Sequence, residues 1–130
     1  MNATAAGPRN LKRALVIDDD AFVRDVLHGV VTGLGYEADA AANGSEGLAR
    51  FDSHRYDVVL TDLLMPGMSG WEVLKALRER NPKIPVIIIT GSAGKDDERR
   101  AAQPGVALLR KPVKMDFLGS TLDRVMQDKP

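Results

Sequence analysis

Five short apolar runs alternate along this chain with stretches of helical period, and that alternation limits the possible folds more than any other feature. Ala14–Ile17, Val58–Thr61 and Val86–Ile89 read as strands, with Glu37–Ala41 weaker and Ala107–Leu109 short. The three strong runs do not alternate apolar with polar residues, as expected of parallel strands buried on both faces. Between them, Phe22, Val23, Val26, Leu27, Val30 and Val31 fall at helical spacing until Gly33 and Gly35. Asn43-Gly44 reads as a turn, with Ser45 capping a helix to about Phe51. Trp71, Leu74 and Leu77 mark a third helix closed by Asn81-Pro82, and a polar helix is expected over Asp96 to Gln103. Met115 to Met126 closes the chain, with Phe117, Leu118, Leu122 and Val125 on one face. A strand–helix unit repeated in this way predicts a parallel sheet between two helical layers. Right-handed crossovers then bring every strand's carboxyl end to one edge.

Composition narrows the class. With 130 residues and 44% hydrophobic content, the chain suits one domain with one core. Residues 1–10 are small and polar and read as a flexible N-terminal tail, leaving 11–130 as the domain. The absence of cysteine excludes disulfides, thiolate metal sites and a thiol nucleophile. Lys+Arg and Asp+Glu balance at 18 each, so no basic footprint points to direct nucleic-acid binding. No apolar run is long enough to span a membrane, and a cytoplasmic protein is expected.

The strand ends carry the chemistry. The first delivers Asp18, Asp19 and Asp20, the third Asp62, the fourth Thr90 and the fifth Lys111. Carboxylates converging at one edge repel one another unless a cation joins them, and oxygen ligands without His or Cys favour Mg²⁺. Asp62, opening a loop with Pro66, Gly67 and Gly70, is placed to act as a nucleophile toward phosphorus. Lys111 and the Thr90 hydroxyl would bind phosphoryl oxygens. Backbone N–H groups after Asp62 and Thr90 (Leu63, Leu64 and Gly91) would complete the cradle.

The chain resembles the receiver domain of two-component response regulators. The resemblance rests on Leu-Val-Ile-Asp18-Asp19-Asp20, Val-Val-Leu-Thr-Asp62-Leu-Leu-Met-Pro66-Gly67-Met-Ser-Gly70, Pro85-Val-Ile-Ile-Ile-Thr90-Gly91 and Leu-Arg-Lys111-Pro112, in that order. It implies a flavodoxin-like, doubly wound, five-stranded parallel sheet in the order 2-1-3-4-5, flanked by five helices. It further implies that Asp62 is the phosphoacceptor. Asp19 would bind Mg²⁺ directly, Asp18 largely through water, and Leu64 through its backbone carbonyl. Thr90 and Lys111 would hold the phosphoryl group, and Lys111–Pro112 would be cis. The implied donor is a sensor histidine kinase or a histidine phosphotransfer protein, and the output passes through protein–protein contact to a downstream target the sequence does not name.

Three departures from the family pattern stand out. Leu108 occupies the position, three before the lysine, where the family usually has an aromatic switch residue. The stretch Gly105–Lys111 is one residue shorter than usual. Leu64 and Ser92 occupy places that tune self-dephosphorylation, and the apolar Leu64 cannot orient a water. Asp20 reads as a helix N-cap, His28 and His54 as surface side chains, and Asp96–Arg100 as a solvated helix face. Rival readings are a phosphatase using Asp18 and Asp20, a flavin module, and a degenerate receiver. The first would want a Thr or Val where Phe22 stands and a cap domain that so short a chain is not expected to hold, the second lacks Gly, Ser or Thr in its first turn, and the third is at odds with a complete set of site residues.

Overall fold

The computed structural model describes residues 11–127, so the expected tail at 1–10 and the last three residues lie outside it. Ten elements follow in strict alternation: β1 (Arg13–Ile17), α1 (Ala21–Gly33), β2 (Glu37–Ala41), α2 (Gly44–Ser53), β3 (Val58–Asp62), α3 (Gly70–Arg80), β4 (Val86–Thr90), α4 (Lys95–Ala101), β5 (Val106–Arg110) and α5 (Met115–Gln127). All strand pairs are parallel, and the sheet order is β2-β1-β3-β4-β5, as the resemblance implied. No described helix is long and apolar enough to cross a membrane.

The strand sequences explain the two layers. Side chains alternate across a sheet, so an unbroken apolar run feeds both faces at once. Leu15, Ile17, Val59, Val86 and Ile88 pack under α2 and α3 with Leu48, Val73, Leu74 and Leu77. Their neighbours Ala14, Val16, Val58, Leu60, Ile87 and Ile89 pack under α1 and α5 with Leu27, Val31, Leu118, Leu122 and Val125. Every residue of β3 and β4 is buried.

Several local expectations are corrected. Asn43, not Ser45, caps α2: its Oδ1 accepts from the Glu46 N–H at 2.8 Å, and Ser45 is already inside the helix. An asparagine just before the helix competes better for that role than a serine one step in. The expected apolar stripe of α1 is narrower than its spacing suggested, since Phe22 is 76% exposed and Val26 44%. Phe117 likewise leaves the α5 core face, being 61% exposed. His28 is half-buried, with its Nε2 3.0 Å from the Ala38 carbonyl oxygen. Helix α4 ends at Ala101, short of Gln103.

One polar network ties the amino end of the sheet. Arg13 Nη2 and the Tyr56 hydroxyl both donate to Asp39 Oδ2, at 2.9 and 2.6 Å. Burial and the Asp39 bond push the Tyr56 phenol up to about 12. Its folded-state value thus exceeds its unfolded one, so its contribution to stability is intact below about pH 10 and is lost as pH rises toward 12. Denaturant melts between pH 9 and 12 should show a loss of about 2 kcal/mol that Tyr56→Phe largely removes. A Tyr56→Phe profile with the parent's slope would refute this.

Candidate functional site

The chain order reverses between β1 and β3, and ligands of open α/β sheets bind at such a point, at the carboxyl ends of the strands. Ile17 pairs with Thr61, so the next residues, Asp18 and Asp62, emerge side by side. Lys111 follows β5 directly and its N–H donates to the Thr90 carbonyl at 2.8 Å, which fixes its start beside β4.

The acidic turn after β1 is held by its own chain. Asp18 Oδ1 accepts from the Asp20 N–H at 2.9 Å, and Asp20 Oδ1 caps α1 by accepting from Phe22 and Val23. Asp20 is therefore occupied as a cap, which counts against a phosphatase pairing of Asp18 with Asp20. Arg24 Nη1 donates to the Asp18 carbonyl at 2.8 Å, a contact that sequence reasoning missed. The signal was available: helical side chains lean toward the N-terminus, so a cation four residues past the cap reaches the preceding turn.

The loop after Asp62 is equally constrained. The Thr61 hydroxyl donates to the Asp62 carbonyl at 3.0 Å, and the Gly70 N–H donates to Leu63 O at 2.8 Å. A Cβ on Gly70 would sit 2.6 Å from the Asp62 carbonyl oxygen and 2.9 Å from Leu63 Cα, so only glycine lets α3 start this close. Ser69 and Glu72 form a reciprocal capping box that anchors α3 beneath the loop.

These supports gather four of the expected side chains. Carboxylate oxygens of Asp18, Asp19 and Asp62 lie within 4.8 Å of one another. Lys111 Nζ sits 3.2 Å from Asp18 Oδ2 and 3.5 Å from Asp62 Oδ1. Asp18 is fully buried, Asp62 nearly so, and Asp19 exposed. Burial and then the Asp18 charge push the Asp62 carboxyl above the usual carboxylate range, although Lys111 and the Leu63 N–H pull it down. Burial acts to lower the Lys111 ammonium, but Asp18 and Asp62 more than offset it and raise it overall. Three carboxyl groups thus gather around one ammonium. That all-oxygen donor set fits a hard divalent cation, with Asp18, Asp19 and Asp62 as its side-chain ligands.

The other expected residues are placed less directly. The Thr90 hydroxyl is spent on Ser92, donating to its carbonyl at 2.8 Å and accepting from its N–H at 3.1 Å. The Leu63 N–H points at Asp62 Oδ1, 2.8 Å away. The Leu64 side chain is 64% exposed. A Cβ on Gly91 would meet nothing within 4 Å, so crowding does not force glycine there. Lys111–Pro112 is cis. Leu108 is half-buried on β5, and no aromatic stands in its place.

The response regulator receiver domain family matches residues 14–123. The DNA-binding transcriptional regulator NtrC of Salmonella typhimurium is 38% identical over 112 residues, which cover 85% of this chain and 24% of that protein. Sensor protein EvgS of Escherichia coli is 32% identical over 114 residues, covering 87% of this chain and 10% of that one. The chain therefore spans only a quarter or less of these relatives. Among solved structures, chemotaxis protein CheY4 of Vibrio cholerae superposes with a TM-score of 0.82 at 30% identity, covering 88% of this chain and 98% of that one. Response regulator TrrA of Thermotoga maritima, in complex with Mg²⁺ and BeF, gives 0.78 at 33%, covering 88% and 99%. Fold, acidic edge and sequence agree, and the chain belongs to the response regulator receiver domain family of two-component signalling.

Proposed function

We propose that this domain accepts a phosphoryl group on Asp62 from the phosphohistidine of a sensor histidine kinase or a histidine phosphotransfer protein, in a cytoplasmic relay. The observation that carries this reading is the Asp18–Asp19–Asp62 cluster with Lys111 reaching across it. An Asp62 carboxylate oxygen attacks phosphorus, the P–N bond breaks, and its electron pair stays on the departing nitrogen, while a proton on the other ring nitrogen of the donor lets the imidazole leave neutral. Lys111, already beside Asp62, meets the incoming charge as a point cation. The Thr90 hydroxyl supplies a donor once it leaves Ser92, and N–H groups of the Leu63–Leu64 and Gly91 segments lie in chain positions to support it. Mg²⁺, held by Asp18, Asp19, Asp62 and the Leu64 carbonyl, would neutralise acceptor and phosphoryl oxygens together. The domain turns over no small-molecule product; it changes its own charge at the sheet edge and biases its conformational equilibrium toward a downstream protein.

Incubation with acetyl phosphate and Mg²⁺ tests the reading. Intact mass should rise by one phosphoryl group, and an unchanged mass would contradict the proposal. Decay of that species tests the role of Leu64. With no polar side chain there to align a water, the half-life should run to minutes or longer, and Leu64→Asn should shorten it roughly tenfold. A parent half-life of seconds would rule this out.

A further inference from the structure

Helix α4 is the one described helix among α1–α5 with no buried residue, so core packing, limited to the half-buried Ala101, does little to hold it. Polar contacts do. Asp97 spends both carboxylate oxygens at once: Oδ2 accepts from the Gly94 N–H at the helix start and Oδ1 from the Trp71 indole N–H on α3, each at 2.9 Å. The Arg100 guanidinium lies 5.6 Å from the Trp71 ring centroid, within cation–π range. On the other flank, Arg110 of β5 donates to Glu98 at 2.6 Å. The segment Asp96–Arg100, expected to be a solvated face, is thus partly a fastening.

Both ends of that fastening lead back to the phosphorylation site. Trp71 follows Gly70, whose N–H is bonded to the loop after Asp62, so the α3 end is fixed. The α4 end follows the loop tied by Thr90 to Ser92, two residues before Gly94. A hydroxyl carries a single proton. If Thr90 gives it to a phosphoryl oxygen, the Ser92 carbonyl loses its donor and the loop leading into α4 is released.

We propose that this chain reads out phosphorylation through Thr90, Ser92 and the Asp97–Trp71 hydrogen bond, which opens as α4 shifts, in place of an aromatic on β5. The proposal rests on Asp62 being the phosphoacceptor. It gives Trp71 and Asp97 the role of positioning residues that hold α4 in the unphosphorylated arrangement. Because coupling is reciprocal, a bond that opposes the shifted state also weakens binding of whatever stabilises it.

The test uses beryllofluoride with Mg²⁺ as the phosphoryl mimic. It reads Trp71 emission (the chain's single tryptophan) and amide exchange over residues 94–101, alongside phosphoryl uptake by mass. In the parent, emission should shift saturably and exchange in α4 should quicken. Asp97→Ala without ligand should already resemble the liganded parent and bind beryllofluoride about fivefold more tightly. Trp71→Phe, followed by exchange alone, should give the same tightening. Phosphoryl uptake with unchanged emission and unchanged α4 exchange would overturn the latch alone, as would parent-like affinity in both variants. No uptake in the parent would overturn the acceptor reading and the latch together.

Discussion

Asp62→Asn should abolish phosphoryl uptake and, in metal-free buffer at neutral pH, should make the protein more stable. Asparagine keeps the shape and the Oδ1 acceptor for the Leu63 N–H, so the loop keeps its local bond. It removes a charge that burial and Asp18 already disfavour, since the folded-state value of Asp62 is raised. A group raised in this way contributes stability below its unfolded value and loses it as pH rises through its folded value. The variant's advantage should therefore be absent in acid and present at pH 7, at about 1 kcal/mol or a few degrees in Tm. Mg²⁺ should shrink or reverse the difference, because only the parent keeps all three carboxylates for the ion. Melts in EDTA at pH 4 and pH 7, repeated with Mg²⁺, check this. A variant less stable than the parent in EDTA at pH 7 would remove the electrostatic basis of the site.

Lys111→Met should do the opposite. Lys111 is the one cation within salt-bridge distance of Asp18 and Asp62 among the described residues, and Asp18 is fully buried. Removing one partner of a buried pair leaves an uncompensated charge, and a loss of about 3 kcal/mol is expected at neutral pH. The loss should shrink in acid, where a proton relieves the charge of Asp62, whose carboxyl is already raised. Phosphoryl uptake should slow about a hundredfold, because a fixed charge aimed at developing negative oxygens is gone. Mg²⁺ should restore part of the stability without restoring the rate, since it supplies charge but not the lysine's position. Denaturant melts and time courses with acetyl phosphate separate the two effects. A variant of parental stability that is labelled at the parental rate would exclude Lys111 from the site.

Much of this architecture was legible because it depends on short-range patterns. Each strong apolar run had to be a strand buried on both faces, and each ended in a polar residue that the parallel arrangement carries to one edge. Asp18, Asp19, Asp62 and Lys111 met for that reason. Helix faces were read less well. Phe22, Val26 and Phe117 share the helical spacing of core residues but are exposed, and spacing alone does not reveal how wide a stripe of each helix is covered. The Trp71–Asp97 bond spans 26 residues between two helices that no periodicity pairs. The engagement of Thr90 with Ser92 reflects the present rotamer of a hydroxyl, which residue order does not specify.

The most direct test of the central claim is to map the phosphorylated residue after acetyl phosphate treatment, by peptide mass, with Mg²⁺ and with EDTA. A single phosphoryl group on the peptide carrying Asp62, formed with Mg²⁺ and absent in EDTA, is the expected result. Equal labelling in EDTA, or labelling at another residue, would show that the buried carboxylates and Lys111 are not gathered for this chemistry.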